Sequence, residues 1–287
     1  MISIVTLHLQ RKEHTERFIR QLYQRTEQEF ELVVVSQESD AETVAWLTQL
    51  QQEQHHFKVL WNEQNIGTAA GRNLGIRASS GEQVIVIDND VEVTDGWLQP
   101  LIDTADKQKS IAAVGALILS AQGDVQYCSR YVVEYFEKTD QHSIGLHIDC
   151  KLKADSPEVG SECEVPWYPT TCLLIKKSAF EESGGFDEQL AICEEDKDLC
   201  LSMRQAGYKI YSNPNSRVRH HNHPKPLPYA QIRESLPKLY QDKAFFENKW
   251  NLKSIQQQSK RYLLQSGMSE DEIAQLEKFT MFVQVTS

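Results

Sequence analysis

NIGTAAGRNLGIRASSGEQVIVIDNDVEV, residues 65–93, holds an Asn-x-Gly turn, a helix-like segment with Arg72 and Asn73, a run of strand formers, and then Asp88-Asn89-Asp90. Val84 to Ile87 are apolar, β-branched and uninterrupted, the pattern of a strand buried on both faces. In an open α/β sheet the carboxyl ends of the strands face the ligand crevice, so an acidic tripeptide straight after such a strand stands at a functional edge. In extended chain, residues two apart point to the same side, which would let Asp88 and Asp90 converge. Two neighbouring carboxylates repel unless a cation lies between them, and oxygen ligands suit Mg2+ or Mn2+. Ordinary turn chemistry accounts for the same three residues without a metal, because Asx side chains bond their own backbone.

Outward from this stretch the pattern is regular. Ile2 to Leu7, Phe30 to Val35, Phe57 to Trp61 and Gln83 to Ile87 read as strands. Glu13 to Arg25, Ala41 to Gln54 and Thr68 to Ser79 read as helices. Such β-α alternation with short joints predicts an α/β fold, a mostly parallel sheet with helices on both faces, Rossmann-like in its first half. Gly67, Gly71 and Gly75 match neither the dinucleotide fingerprint nor a P-loop. Further on, Trp97 to Lys107 predicts a helix, and Ile111 to Leu119 and Val125 to Phe136 predict strands. Glu137 to Pro166 reads as a long loop. Cys172 to Ile175 is a strand, Ser178 to Ser183 a short helix, and Tyr208 to Ser212 a strand after a helix that ends at Ala206.

Composition bounds the function. A net charge of −11 argues against nucleic acid as partner, since phosphate contacts need basic patches. No segment approaches the ~18–20 apolar residues of a membrane span, and Met1 to Leu9 reads as a strand rather than a leader. A cytoplasmic location is expected. The six cysteines form no Cys-x-x-Cys pair and read as reduced thiols.

Residues 224–287 change texture and predict a helical extension packed on a main domain of residues 1–223, with helices over Ile232 to Trp250, Ile255 to Gln265 and Ser269 to Phe279. Within 225–261, eight Lys/Arg face three Asp/Glu, interleaved with aromatics such as Tyr229, Phe246 and Trp250. A basic aromatic segment suits peripheral docking on an anionic membrane. The plainer reading is that its aromatics pack on the main domain while the lysines stay wet.

Three blocks stand in order: Asn65-x-Gly67 with Arg72-Asn73-x-Gly75; Asp88-Asn89-Asp90; and Gly184-Gly185-Phe186-Asp187-Glu188 followed by Glu195-Asp196-x-Asp198-Leu199-Cys200. Together they resemble family 2 glycosyltransferases of the GT-A fold across residues 2–223. The resemblance implies that Asp90 binds a divalent cation, Mn2+ or Mg2+, that holds the donor diphosphate, with Asp88 on the ribose or on the metal through water. It implies His220 as a further metal ligand and Asp196 as the general base, with Glu195 orienting substrate beside it. Asn65 and Gly67 would lie on the donor side, and Arg72 and Asn73 would help hold the nucleotide or position the acidic turn. Ser36 stands where the family reads the nucleotide base with an acidic residue, with Asp40 nearby, and Leu7 to Gln10 replace the usual Pro-x-x-Asn. The implied activity is inverting transfer from a nucleotide-diphosphate sugar, a UDP-sugar first, to a glycan, lipid-linked or protein acceptor. A non-catalytic sugar-nucleotide or glycan-binding module on the same scaffold is the alternative. A sugar nucleotidyltransferase would need a glycine-rich basic loop near the N-terminus, and none is present. Taken singly the residues have plainer readings: Glu194, Glu195 and Asp196 stabilise a helix start, His220 belongs to an HHNH run, and Arg72 pairs with an aspartate.

Overall fold

The computed structural model describes residues 1–127, 153–221, 236–250 and 269–270. In chain order these form β1 (Ile2–Leu9), α1 (Lys12–Arg25), β2 (Phe30–Gln37), α2 (Ala41–Glu53), β3 (Phe57–Asn62), α3 (Thr68–Ala78), β4 (Gln83–Ile87), β5 (Val91–Val93), α4 (Gln99–Asp106), β6 (Ile111–Ser120) and β7 (Val125–Tyr127). After these come β8 (Cys163–Val165), β9 (Cys172–Lys176), α5 (Lys177–Glu182), α6 (Glu195–Gln205), β10 (Lys209–His220) and α7 (Leu236–Trp250). The parts of the expected strand and loop that fall in 128–152 lie outside the described residues. So do the expected helix over Ile255 to Gln265, nearly all of Ser269 to Phe279, and most of the basic segment 225–261.

One sheet runs in the order β3-β2-β1-β4-β9-β6-β10-β5, with β7 on β6 and β8 on β10. The pairs β1–β2, β2–β3 and β1–β4 are parallel, as the alternation predicts. Beyond β4 the sheet is mixed. β9 runs antiparallel to both β4 and β6, while β6 and β10 are parallel. The chain steps outward from β1 to β3 and then returns to the other side of β1 with β4. The switch point therefore lies between β1 and β4, and the crevice at their carboxyl ends is the expected ligand position.

Val84, Ile85, Val86 and Ile87 are each at most 1% exposed. Consecutive strand residues face opposite sides, so both faces of the sheet are covered there. Close helix–strand contact depends on Gly75, where a Cβ would overlap the Val5 side chain. No helix among the described residues is long and apolar enough to cross a membrane.

The expected loop over 137–166 holds two short elements in its described part, a 3-10 turn at Pro157–Val159 and β8. The strand expected at Tyr208 to Ser212 instead continues to His220, with a register shift between Asn213 and Arg217. That shift absorbs Pro214, which cannot donate to the ladder, and lets β10 continue along β6 and pair with β5.

Candidate active site

The acidic tripeptide leaves β4 as a turn: Val91 N donates to Asp88 O at 3.2 Å, and Asp88 N to Thr171 O at 3.2 Å. This corrects the expectation that extended alternation aligns the two carboxylates. The turn itself gathers them, because it folds the chain back within one residue of Asp90. Strand β5 then pairs antiparallel with β10, setting His220 opposite Val91. His220 Nε2 comes to 3.3 Å from Asp90 Oδ1, and its Nδ1 to 3.1 Å from Gln126 Oε1. Asp88, Asp90 and His220 each offer a ligand atom within 4.8 Å of the others. Two carboxylates and an imidazole, all half-buried, are a donor set that fits a divalent cation such as Mn2+ or Mg2+.

Arg72, on α3, links this turn to the second acidic block. Its Nη1 donates to Glu195 Oε1 at 2.7 Å and its Nη2 to Asp88 Oδ1 at 3.2 Å. The guanidinium is nearly buried, as is the Glu195 carboxylate. Thr68 Oγ1 also donates to Glu195 Oε1, at 3.2 Å. Glu195 thus ties α6 to α3 through that oxygen.

Among the four acids of this stretch, Glu194 pairs with Lys197, Glu195 with Arg72 and Asp198 with Lys249. Asp196 has no salt-bridge partner among the described residues. Its Oδ1 accepts only the Lys197 N–H, at 2.8 Å. Burial first, then the Glu195 charge, push its carboxyl up to about 7.

The other expected residues are placed as follows. Asn65 Oδ1 accepts Gly67 N at 2.9 Å, an Asx turn that starts α3, and Gly67 takes φ +86° with Ala191 packed against it. Asn73 is buried, and both its amide groups are engaged: Phe186 N donates to its Oδ1, and its Nδ2 donates to Phe186 O and Glu188. Its place is under the Gly184-Gly185-Phe186 turn. Ser36 has an internal partner as well. It is buried at the end of β2 with its hydroxyl 2.6 Å from that of Ser39, because an inward hydroxyl there needs a partner. Next to it, Gln10, Arg11, Lys12, Glu38, Asp40 and Thr43 help line a cavity of about 610 Å3 at the ends of β1 and β2. Gln10, Arg11 and Glu38 all have positive φ, a strained backbone that clusters at ligand sites.

Three contributors escape sequence reasoning. Thr15 Oγ1 accepts Asn89 Nδ2 at 2.8 Å, Thr68 holds Glu195, and Asp242 binds the backbone before α6. Their partners lie 74, 127 and 50 residues away, and no local pattern marks them.

His8, near the end of β1, is buried, with Nδ1 2.8 Å from Thr15 Oγ1 and, among the described residues, no partner at Nε2. Burial lowers its pKa to about 4, against the opposing pull of Asp40 and Glu13. Between pH 6.5 and 4 the unfolded chain takes up a proton that folded His8 refuses, so stability falls as pH falls through that window. The loss reaches about 3 kcal/mol at its lower end. Urea midpoints measured from pH 7 to 4.5 are expected to drop, and His8→Gln to flatten that slope.

Residues 3–157 match the protein family described as "Glycosyl transferase family 2". The chain is 29% identical over 196 residues to the O-antigen biosynthesis protein RfbC of Myxococcus xanthus, covering 67% of this chain and 15% of that protein. It is 27% identical over 224 residues to N-acetylglucosaminyl-diphospho-decaprenol L-rhamnosyltransferase of Mycobacterium tuberculosis, covering 72% of each. Its fold matches that of GalNAc-T7, crystallised with UDP, GalNAc and Mn2+, at a TM-score of 0.61 and 19% identity, covering 97% of this chain and 53% of that one. The chain thus spans about a seventh of the RfbC length and about half of the GalNAc-T7 chain.

Proposed function

Because the chain belongs to glycosyl transferase family 2, we propose that its crevice carries out metal-assisted, inverting transfer of a sugar from a nucleotide-diphosphate donor, a UDP-sugar first, to an acceptor hydroxyl. The observation that carries this reading is Asp196. It alone among the four acids of its stretch has no salt-bridge partner among the described residues, and its carboxyl is raised to about 7 despite the nearby Lys197 charge. A general base works best with a pKa near the operating pH.

Asp90, Asp88 and His220 would hold the divalent cation. That cation supplies Lewis-acid neutralisation of the charge gathering on the departing nucleoside diphosphate. Arg72 keeps Asp88 in place and ties the donor turn to the first turn of α6, which carries Asp196. The acceptor O–H passes its proton to the Asp196 carboxylate as the acceptor oxygen bonds to the anomeric carbon. The bond from that carbon to the diphosphate oxygen breaks, and its electron pair leaves with the nucleoside diphosphate. No enzyme-bound sugar intermediate is needed, so the anomeric configuration inverts, in contrast with the two-step retaining route. The cavity beside Glu38 and Asp40 suits the nucleoside end, with acidic side chains able to accept base or ribose N–H and O–H groups.

UDP in complex with GalNAc-T7 and the lipid-linked acceptor in the name of the mycobacterial rhamnosyltransferase support a nucleotide-sugar donor and a glycan or lipid-linked acceptor. The test is UDP release from a panel of UDP-sugars with Mn2+, with and without chelator. Metal-dependent release of UDP is expected, with an inverted anomer by proton NMR. Tight donor binding with no release from any sugar would favour the non-catalytic binding module instead.

A further inference from the structure

The segment between Gly185 and α6 leads into the helix turn that carries the proposed base, yet it has little structure of its own. Gly184 and Gly185 enter it at positive φ, and it ends at Glu194, a non-glycine residue at φ +68°. The first turn of α6 has no side-chain cap from the residue before it. From one side α3 holds it: Thr68 N donates to Ala191 O, and Arg72 to Glu195.

On the other side stands α7, from a part of the chain that the sequence reads only as an extension. Asp242, 2% exposed, accepts Ile192 N at 2.7 Å and Cys193 N at 3.3 Å on one oxygen. A carboxylate from a separate helix thus satisfies the two backbone donors just before Glu194. One helix turn or two further along α7, Lys249 Nζ bridges Asp187 and Asp198, at 2.8 and 2.9 Å. Trp250 Nε1 donates to Asp198 Oδ1 at 2.7 Å. Phe246 is buried against Leu190 and Leu201. Among the described residues these anchors of α7 fall within residues 187–201, on both flanks of Asp196, and none of them touches Asp196 itself.

We infer that α7 is a positioning element of the transfer site: Asp242, Lys249 and Trp250 fix the 187–198 segment so that Asp196 faces the acceptor. The inference rests on the proposed role of Asp196. Asp242 acts through two amides and Lys249 through Asp198, so their loss should misplace the base and leave the donor turn alone. A displacement of about 1 Å at a reacting group costs on the order of 100-fold.

The test uses the full chain with Asp242→Ala, Lys249→Met and Lys249→Arg. UDP release from UDP-sugars at saturating donor reads turnover, and binding of UDP with Mn2+ reads the donor side. Backbone hydrogen exchange reads the segment itself. Expected are a fall in release of roughly 10- to 100-fold for Asp242→Ala and Lys249→Met, recovery to within about threefold in Lys249→Arg, which keeps the charge, and unchanged UDP–Mn2+ affinity. Exchange should quicken at Ile192 to Asp196 and not in β1 or β4. Unchanged release in both variants, or equal loss of release and UDP affinity, would overturn the inference. If wild type releases no UDP, the catalytic reading fails by itself. Exchange at Ile192 and Cys193 that is the same in Asp242→Ala as in wild type then removes the positioning role as well.

Discussion

Asp196→Asn is expected to lower sugar transfer by about 10²- to 10⁴-fold, the usual contribution of a positioned general base, and to leave UDP–Mn2+ affinity within a few-fold of wild type. The side chains are nearly the same size, so packing is kept and only proton acceptance is lost. The same substitution should stabilise the protein. A carboxyl raised to about 7 binds a proton in the folded state where the unfolded chain has released it. This group therefore favours folding below about pH 4, and its contribution declines as pH rises through 7. An amide carries no such cost, so a gain on the order of 1–2 kcal/mol is expected at pH 8, less than the full shift because the carboxylate is partly exposed. Kinetics of UDP release and melting curves on the two proteins check both halves. A variant that is less active and less stable would indicate a structural carboxylate instead.

Arg72→Met is expected to cost about 3–5 kcal/mol, the range for breaking a buried ion pair by removing one partner. Glu195 would keep its charge at a nearly buried position with only Thr68 left to donate to it among the described residues, and Asp88 would lose the group that holds it. In a domain of this size that is a fall in melting temperature of roughly 10 °C. Adding Glu195→Gln should recover part of the loss, because the uncompensated charge goes with it. Arg72→Lys should not restore the site, since a single ammonium cannot match the fork that reaches Glu195 and Asp88 at once. Urea unfolding of these proteins together with the Glu195→Gln single variant closes the cycle and measures the coupling directly.

The parallel half of the sheet was legible because β1 to β4 alternate with helices whose joints are short and whose apolar runs are unbroken. Val84 to Ile87 carried most of that reading, and all four are buried. What lay past β4 was less legible. β5 and β8 are three residues each, too short for periodicity to register, and β9 is set antiparallel by partners on both sides. The turn and metal readings of Asp88-Asn89-Asp90 proved compatible, since the turn bond from Val91 to Asp88 is what brings the carboxylates together. His220 looked like one member of a polar run. Its meeting with Asp90 depends on the β5–β10 pairing, which joins residues about 130 positions apart. At Asn73 and Ser36 the fold gives a polar residue beside a motif an internal partner, closing a turn or filling an inward position, which no local pattern in the sequence marks.

The central claim is a nucleotide-diphosphate donor held through a cation by Asp88, Asp90 and His220. Melting of the wild-type chain and of Asp90→Ala with UDP, GDP, dTDP and CDP, each with and without Mn2+, tests it most directly. A ligand at ~100 times its dissociation constant adds about 2.7 kcal/mol, a rise of several degrees in a domain this large. The account predicts that rise for UDP with Mn2+, little without it, and none in Asp90→Ala. Stabilisation by no nucleotide under either condition, or an equal response from Asp90→Ala, would contradict it.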